Sequence, residues 1–180
     1  MRLLLLSKWD QHGAKYISQT CADMMPPCAD TLKVAICEDC RHHNQALTEE
    51  QYFLDLCRRL GRNNTRVIVR RVSLIQPILL SLESLKTCDV FYMCGGDPGQ
   101  RVPTALVDAL SAWHSFCRGG GDYTLPGTPE SIAKMCVLQN RVQCDEILYM
   151  GSCMGAMMAG ANFCQGSSGF GMDIKLFDFM

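Results

Sequence analysis

One short segment of the chain combines a nucleophilic side chain with the residue types that expose it. Residues 151–155 read Gly-Ser-Cys-Met-Gly, so Cys153 has a glycine two residues away on each side. The apolar run 147–150 predicts a strand before it, and the small residues that follow predict a helix. Such a strand–turn–helix corner is typical of a nucleophile elbow, whose central side chain is exposed on a strained turn. We therefore predict a nucleophile at Cys153, with Gly151 and Gly155 where a Cβ would collide with the neighbouring helix or strand.

The position of Cys153 also favours the ionised thiol. A helix N-terminus offers free N–H groups and the positive end of the macrodipole, both of which stabilise a thiolate. Ser152 lies off-centre between the glycines and is the weaker candidate. Two alternatives remain open: Cys153 as a small buried hydrophobic residue beneath a tightly packed helix, and Cys153 as a redox sensor that oxidises reversibly to a sulfenic acid.

A second segment with ligand-binding character follows an earlier strand. Residues 95–100 read Gly-Gly-Asp-Pro-Gly-Gln directly after the apolar run 90–94. A glycine pair at a strand end lets backbone N–H groups approach a ligand or anion closely, although a tight left-handed turn gives the same pattern. We predict that four residues contact the substrate: Gly95, Gly96, Asp97 and Gln100.

Length and composition narrow the class of protein. The chain has 180 residues, which predicts one domain over residues 1–180. Its net charge is −1, which gives no electrostatic reason to expect nucleic acid or a membrane as partner. The four leucines at positions 3–6 are too few for a secretory signal. Twelve scattered cysteines indicate a reducing compartment, so we expect a cytoplasmic protein. We also expect no cofactor.

The cysteines also raise the question of a zinc site. Cys37 and Cys40 form a CxxC pair that is followed by His42 and His43. A structural zinc ion needs four ligands, and the sequence has no second pair at the usual spacing. We therefore predict no metal.

The remaining pattern predicts alternating strands and helices. Strands are predicted at 3–6, 32–37, 66–72, 88–94 and 147–150, and helices at 48–61, 77–86, 102–117 and 128–142. Alternation without hairpin signals predicts a three-layer α/β/α, flavodoxin-like fold with a mostly parallel sheet. Sites in such folds lie beyond the carboxyl ends of the strands, where the glycine pair and Cys153 would share one edge.

Three segments resemble a known family. Residues 31–36 (TLKVAI), 82–100 (LESLKTCDVFYMCGGDPGQ) and 146–163 (EILYMGSCMGAMMAGANF) resemble the peptidase E and cyanophycinase family of serine peptidases, within the class I glutamine amidotransferase-like superfamily. The resemblance implies a hydrolase that cleaves an amide or peptide bond, Asp-linked in this family, in a small substrate. It also implies Cys153 as nucleophile and the N–H groups of Gly96 and Met154 as the oxyanion hole.

The sequence departs from this family in four ways. Cys153 stands where the family has serine, Met154 stands where it has alanine, and the segment between the glycine pair and the elbow is longer. No histidine follows Cys153, whereas the family's catalytic histidine does. The ending 167–180 resembles the stretch that leads toward that histidine, so we expect a fold that is truncated at its C-terminus and lacks its last strands.

Another histidine would then have to act as the base. His12, His42 and His43 follow the first two predicted strands and are the candidates, whereas His114 lies in a predicted helix and is expected to be structural. The leading hypothesis is a peptidase E-like hydrolase with a cysteine nucleophile. The alternative is a non-catalytic relative, a pseudoenzyme that acts as a binding module and forms a homodimer through an uncovered sheet edge.

Overall fold

The computed structural model describes residues 1–6, 24, 30–37, 39, 51, 54–58, 64–77, 80–94, 104–119, 128–152, 154–160, 162–165 and 172–175. Five strands within these ranges form one parallel sheet: β1 (Arg2–Leu6), β2 (Thr31–Cys37), β3 (Arg66–Val72), β4 (Val90–Met93) and β5 (Leu148–Ser152). Their order is β1-β5-β4-β2-β3. This confirms the predicted α/β fold and its parallel sheet.

The strand order explains the flavodoxin-like character of the sheet. Taken from β2 onward, the strands follow the order 2-1-3-4 of that fold, and the N-terminal β1 occupies the fifth place beside β5. The chain reverses direction across the sheet between β2 and β4, which is the switch point where α/β folds bind ligands. All residues of β4 and β5 are buried, since each strand has a neighbour on both sides and packed side chains on both faces.

Helices and apolar side chains cover the two faces of the sheet. The helices are α1 (Ser81–Thr87), α2 (Thr104–Cys117), α3 (Thr128–Gln143) and α4 (Met154–Met157), and residues 54–58 are also helical. One core cluster joins Phe91 and Tyr149 of the sheet to residues of α1, α2 and α3, among them Trp113. The other joins Tyr92 and Met150 to Leu56 on the opposite face. Alternate strand residues thus serve opposite faces, as the pleat requires.

Two local predictions were wrong. The helix predicted at 77–86 begins only at Ser81, because Leu80 before it adopts a left-handed backbone with φ of 75°. The expected absence of hairpins also fails, since β6 (Asn162–Gln165) and β7 (Met172–Lys175) pair in antiparallel fashion outside the main sheet. No helix within the described ranges combines the length and apolarity that crossing a membrane demands.

Candidate active site

The carboxyl ends of four neighbouring strands meet at one edge of the sheet. Gly151 near the end of β5 lies beside Met93 of β4 and Leu5 of β1. On the other side of β4, Cys37 of β2 is opposite Met93. The glycine pair follows β4, Cys153 follows β5, and the candidate histidines follow β1 and β2. The sequence segments chosen for their chemistry therefore all continue from strands that end together.

The connection after β5 is short. β5 ends at Ser152 and α4 begins at Met154, so one residue separates the two elements. That residue is Cys153, which itself lies outside the described residues. The backbone around it has the strand–turn–helix order of a nucleophile elbow.

The two glycines of this turn make backbone contacts that exclude a side chain. A Cβ on Gly151 would collide with the carbonyl oxygen of Gly155 and would lie 2.6 Å from its carbonyl carbon. A Cβ on Gly155 would collide with the carbonyl oxygen of Met93 and would lie 2.7 Å from the carbonyl carbon of that residue. These contacts involve backbone atoms, which move less readily than the end of a side chain. Glycine at both positions lets the first turn of α4 pack directly on β5 and β4.

A buried tyrosine holds this turn in place. The hydroxyl of Tyr149 on β5 donates a 2.8 Å hydrogen bond to the carbonyl oxygen of Gly155. The Tyr149 ring also packs against Phe91 of β4, with ring centroids 5.6 Å apart. The hydrogen bond satisfies a carbonyl of the short helix and fixes α4 relative to the two central strands.

The structure describes part of the predicted site. Met154 opens α4, so its backbone N–H is among the first-turn donors that have no acceptor within their own helix. A Cβ added to Gly155 would meet the backbone of Met93 and Cys94, the residues just before the glycine pair. The other predicted residues lie outside the described ranges: Gly95, Gly96, Asp97, Gln100, His12, His42, His43 and Cys153.

The helix after the elbow is shorter than its sequence suggested. α4 spans four residues and ends at Met157, whereas the small residues through Gly160 indicated a longer helix. Because the macrodipole sums over aligned peptide units, one turn contributes little of it. Stabilisation of a thiolate at position 153 would therefore depend on individual N–H groups of that turn.

A buried polar network, which the sequence did not reveal, lies at the same edge of the sheet. Asp39, two residues beyond β2, accepts a 2.5 Å hydrogen bond from the hydroxyl of Ser73 and a 2.7 Å bond from the backbone N–H of Leu74. The thiol of Cys37 donates a third bond to this carboxyl, at 3.3 Å. The carboxyl thus ties the ends of β2 and β3 together beside the switch point.

A lysine extends this network on the side of α3. Ser73 accepts hydrogen bonds from the N–H groups of Ile75 and Gln76, which turns the chain after β3. The carbonyl oxygen of Gln76 then accepts a 2.6 Å bond from the ammonium group of Lys134, which is fully buried and also pairs with Glu130 at 2.7 Å. A buried ammonium requires such partners, because its desolvation is otherwise costly.

Burial sets the proton affinity of the Asp39 carboxyl. Loss of solvent raises its pKa above the ordinary value of 3.8, while the bonds from Ser73 and Leu74 and the charge of Lys134 act in the opposite direction. The sequence signal for this network was weak. Asp39 sits inside the CxxC pair that drew attention as a zinc motif, and Lys134 falls on an otherwise ordinary helix.

The structure also bears on the CxxC pair and on His114. Cys37 of the CxxC pair is buried and hydrogen-bonded to Asp39, and no metal-binding group of three His, Cys, Asp or Glu side chains occurs in the described part of the chain. His114, expected to be structural, lies in α2 with its ring 4.6 Å from that of Trp113.

A cavity of about 250 Å³ opens away from this edge. It lies between α1 and the middle of β2 and β3, and Lys33, Ile68, Arg70 and Leu80 are among its lining residues. Because none of these residues is at a strand carboxyl end, the cavity is separate from the candidate site.

The fold has a known counterpart. The chain is similar to a solved structure described as a peptidase from an acI-B1 Actinobacterium, with a TM-score of 0.53 and 15% sequence identity. The alignment covers 98% of this chain and 64% of that chain. No protein-family model matches the sequence, and no curated protein matches it. At this identity the likeness establishes a shared fold, and activity has to be argued from the site.

Proposed function

We propose that this chain is a peptidase E-like hydrolase that cleaves an amide or peptide bond with Cys153 as nucleophile. The observation that carries the proposal is the one-residue turn between β5 and α4, packed through Gly151 and Gly155 onto the end of β4. Turns of this kind expose the central side chain above the sheet. The peptidase with the same fold adds support.

The first chemical step forms a tetrahedral intermediate. The thiolate of Cys153 attacks the substrate carbonyl carbon, a C–S bond forms, and the carbonyl oxygen takes up the negative charge. The N–H groups of Met154 and Gly96 are the proposed donors to this oxyanion, and one such donor contributes about 3 kcal/mol of transition-state stabilisation. Contact between Gly155 and the end of β4 supports this pairing, because it brings the two donor-bearing segments close together.

The intermediate then breaks down in two stages. The C–N bond breaks as a general acid protonates the leaving amine, which leaves the acyl group on Cys153 as a thioester. Water later hydrolyses this thioester to release the acid and restore the thiol. The protonating residue is proposed to be one of His12, His42 and His43. His12 follows β1, which pairs directly with β5, whereas His42 and His43 follow β2, one strand further away.

The strand positions favour His12 over the other two. Neighbouring strands are about 4.8 Å apart, so the end of β1 is displaced from that of β5 by one spacing and the end of β2 by two. His12 is the sixth residue after Leu6, and an extended chain gains up to about 3.5 Å per residue, so the reach of this segment exceeds the required distance. We therefore propose His12 as the first choice of base.

Hydrolysis of fluorogenic dipeptide amides tests the proposed function. A panel with Asp, Glu, Asn or Leu before the cleaved bond asks whether an acidic residue is preferred, as the family resemblance implies. We expect turnover by the wild-type chain and loss to background in Cys153→Ala. Cys144→Ala, which changes an exposed cysteine nine residues before Cys153, is the matched control and should keep full activity.

The variants also identify the base. His12→Asn is expected to lower kcat more than His42→Asn or His43→Asn. Wild-type turnover that persists in Cys153→Ala would exclude this cysteine as nucleophile. A folded wild-type chain that cleaves none of the amides would favour the non-catalytic binding module instead.

A further inference from the structure

The cavity between α1 and the sheet combines apolar walls with two positively charged side chains. It has a volume of about 250 Å³ and lies on the face of β2 and β3 that α1 covers. Ala35, Ile68 and Leu80 are among its apolar lining residues. Small-molecule sites commonly have volumes of about 300–1,000 Å³ and mostly apolar walls, so this cavity suits a compact ligand.

The strand register brings the two positive side chains, Lys33 and Arg70, to the same face. Lys33 of β2 is opposite Ile68 of β3, and Ala35 is opposite Arg70. Because residues two apart on a strand share a face, Lys33 and Arg70 are diagonal neighbours. Adjacent strands are about 4.8 Å apart and two residues along a strand span about 6.6 Å, so these long side chains can reach one anionic group. Both side chains line the cavity, and both residues are exposed.

The protein leaves these two positive charges without a carboxylate partner among the described residues. Other basic side chains have one, as Arg141 does in Glu146. No ion pair within the described ranges includes Lys33 or Arg70. Glu83 also lines the cavity and pairs with neither of them. The described lining thus holds two positive groups and one negative group, a surplus of one positive charge.

Leu80 gives the cavity an apolar wall that is both strained and exposed. Its backbone is left-handed, with φ of 75°, and the residue is 59% exposed. A leucine in this conformation is strained, because its Cβ approaches the following carbonyl oxygen. Strained residues of this kind cluster at functional sites, ligand clamps among them. A ligand in the cavity would cover an apolar side chain that folding leaves in water.

We propose that this cavity is a binding site for a compact carboxylate with an apolar body, such as a small aromatic carboxylic acid. Lys33 and Arg70 bind the carboxylate, and Ala35, Ile68 and Leu80 contact the apolar body. The surplus of one positive charge matches the single charge of a carboxylate, whereas a phosphate monoester carries about −1.5 to −2 at neutral pH. The proposal does not depend on the hydrolase function, because the cavity lies away from the carboxyl ends of the strands.

Titration of the full chain with benzoate at pH 7, followed in ¹H–¹⁵N correlation spectra, tests the proposal. We expect saturable shifts in the amides of residues 33–35, 68–70 and 83–88, with a Kd on the order of 1 mM for so small a ligand. Benzamide, which has the same shape without the charge, should bind at least about ten times more weakly. Inorganic phosphate should also bind more weakly than benzoate, because it lacks the apolar body.

Three results of this titration would overturn the proposal. They are the absence of saturable shifts with benzoate, shifts confined to the carboxyl ends of β4 and β5, and benzamide or phosphate binding as tightly as benzoate. The second result would place the anion at the candidate active site instead.

Charge-removing variants test the two basic residues. Lys33→Gln and Arg70→Gln should each weaken benzoate binding about tenfold, because each removes a charged hydrogen-bond donor. Arg66→Gln is the matched control: Arg66 lies on the same face of β3, opposite Thr31, and is not among the lining residues of the cavity. Its Kd should equal that of the wild type. Equal weakening in all three variants would indicate attraction by the overall charge and would contradict a site.

Leu80→Asn separates binding from folding. Asparagine adopts a left-handed backbone more readily than leucine, and the lost side chain is mostly exposed, so the thermal unfolding midpoint should not fall. Benzoate binding should nevertheless weaken several-fold, because the apolar wall is removed. An unchanged Kd in Leu80→Asn would contradict the role proposed for this residue.

Discussion

At the scale of single residues, the close approach of Gly155 to β4 is the contact on which the packing of α4 against the sheet depends. An added methyl group at this position meets the carbonyl of Met93, which belongs to the central strand and cannot be displaced without moving the sheet. We expect Gly155→Ala to lower the free energy of unfolding by about 3 kcal/mol, the upper range for overpacking. Urea unfolding measures this change.

Gly119 provides the matched control. Its φ is 77°, and a Cβ added there meets no atom within 4 Å, so alanine introduces backbone strain without a collision. Gly119→Ala should cost about 1 kcal/mol. If Gly155→Ala is no more destabilising than Gly119→Ala, α4 does not pack on β4 as described.

The buried Asp39 carboxyl predicts a pH dependence of stability. Since burial raises the pKa of Asp39 above 3.8, the folded chain binds this proton more tightly than the unfolded chain. Its contribution to stability is complete below the unfolded pKa of about 4 and is lost as the pH rises through the higher folded pKa. In Asp39→Asn, the unfolding free energy should no longer decline as the pH rises above about 4. The substitution also removes one of the two acceptor oxygens, which lowers stability by about 1–3 kcal/mol at every pH.

Asp145 should behave in the opposite way. A hydrogen bond from Arg2 lowers the pKa of Asp145 below 3.8, so its contribution is present above that value and is lost as the pH falls through the lower folded pKa. Asp145→Asn should therefore change the pH dependence only below about pH 4.

The prediction for Asp39 fails if the unfolding free energy of Asp39→Asn depends on pH in parallel with that of the wild type. That result would show that Asp39 titrates normally.

At the scale of elements, one hydrogen bond couples α4 to the sheet. Tyr149→Phe removes the donor to the Gly155 carbonyl and keeps the ring that packs on Phe91. We expect a loss of about 1–2 kcal/mol and faster amide hydrogen exchange in α4, because the first turn of this helix loses its tie to β5.

Exchange in α1 is the internal reference for this experiment. α1 packs on β2 and β3 and takes no part in the hydrogen bond between Tyr149 and Gly155. Its amides should therefore exchange as in the wild type. Uniformly faster exchange in both helices would indicate global destabilisation instead of a local release of α4.

The elements also show what the sequence can and cannot predict. The apolar runs of β4 and β5 predicted buried parallel strands, because only strands covered on both faces remain apolar throughout. The start of α1 was misplaced because the left-handed backbone at Leu80 has no signature in a non-glycine residue. The Asp39–Lys134 network was missed because it joins three segments that are distant in sequence.

The candidate site itself was predictable only in part. The spacing of Gly151 and Gly155 around Cys153 was sufficient to predict a tight turn, because glycine is the residue that permits such close backbone contacts. The sequence could not identify the base, because three histidines follow strands that end at the same edge. Their distances to the nucleophile depend on loop conformation, which local patterns do not encode.

At the scale of the whole molecule, both core clusters share one sheet. The side chains of β4 alternate between the clusters, so neither cluster can be lost without exposing the central strand. We expect one cooperative unfolding transition. Far-ultraviolet circular dichroism and tryptophan fluorescence, to which the buried Trp113 contributes, should give the same midpoint. Separate midpoints would instead support an incomplete domain that depends on a partner.

The edges of the sheet bear on the predicted homodimer. β3 is an edge strand of the described sheet, and its Arg66, Arg70 and Arg71 are exposed. Pairing of two β3 edges would bring these like charges together, which opposes association. If the chain dimerises through a sheet edge, we expect it to use β1, the other edge strand. The molar mass measured by light scattering should then be the same at low and at high salt.

The most direct test of the account is the relative reactivity of Cys153 and Cys144. Both cysteines fall in tryptic peptide 142–175, so fragment ions from one peptide give the ratio of their alkylation after a brief pulse of limiting iodoacetamide at neutral pH. An elbow nucleophile should react roughly ten times faster than the exposed Cys144. Equal labelling of the two, or labelling of Cys144 alone, would contradict a nucleophile at the turn between β5 and α4.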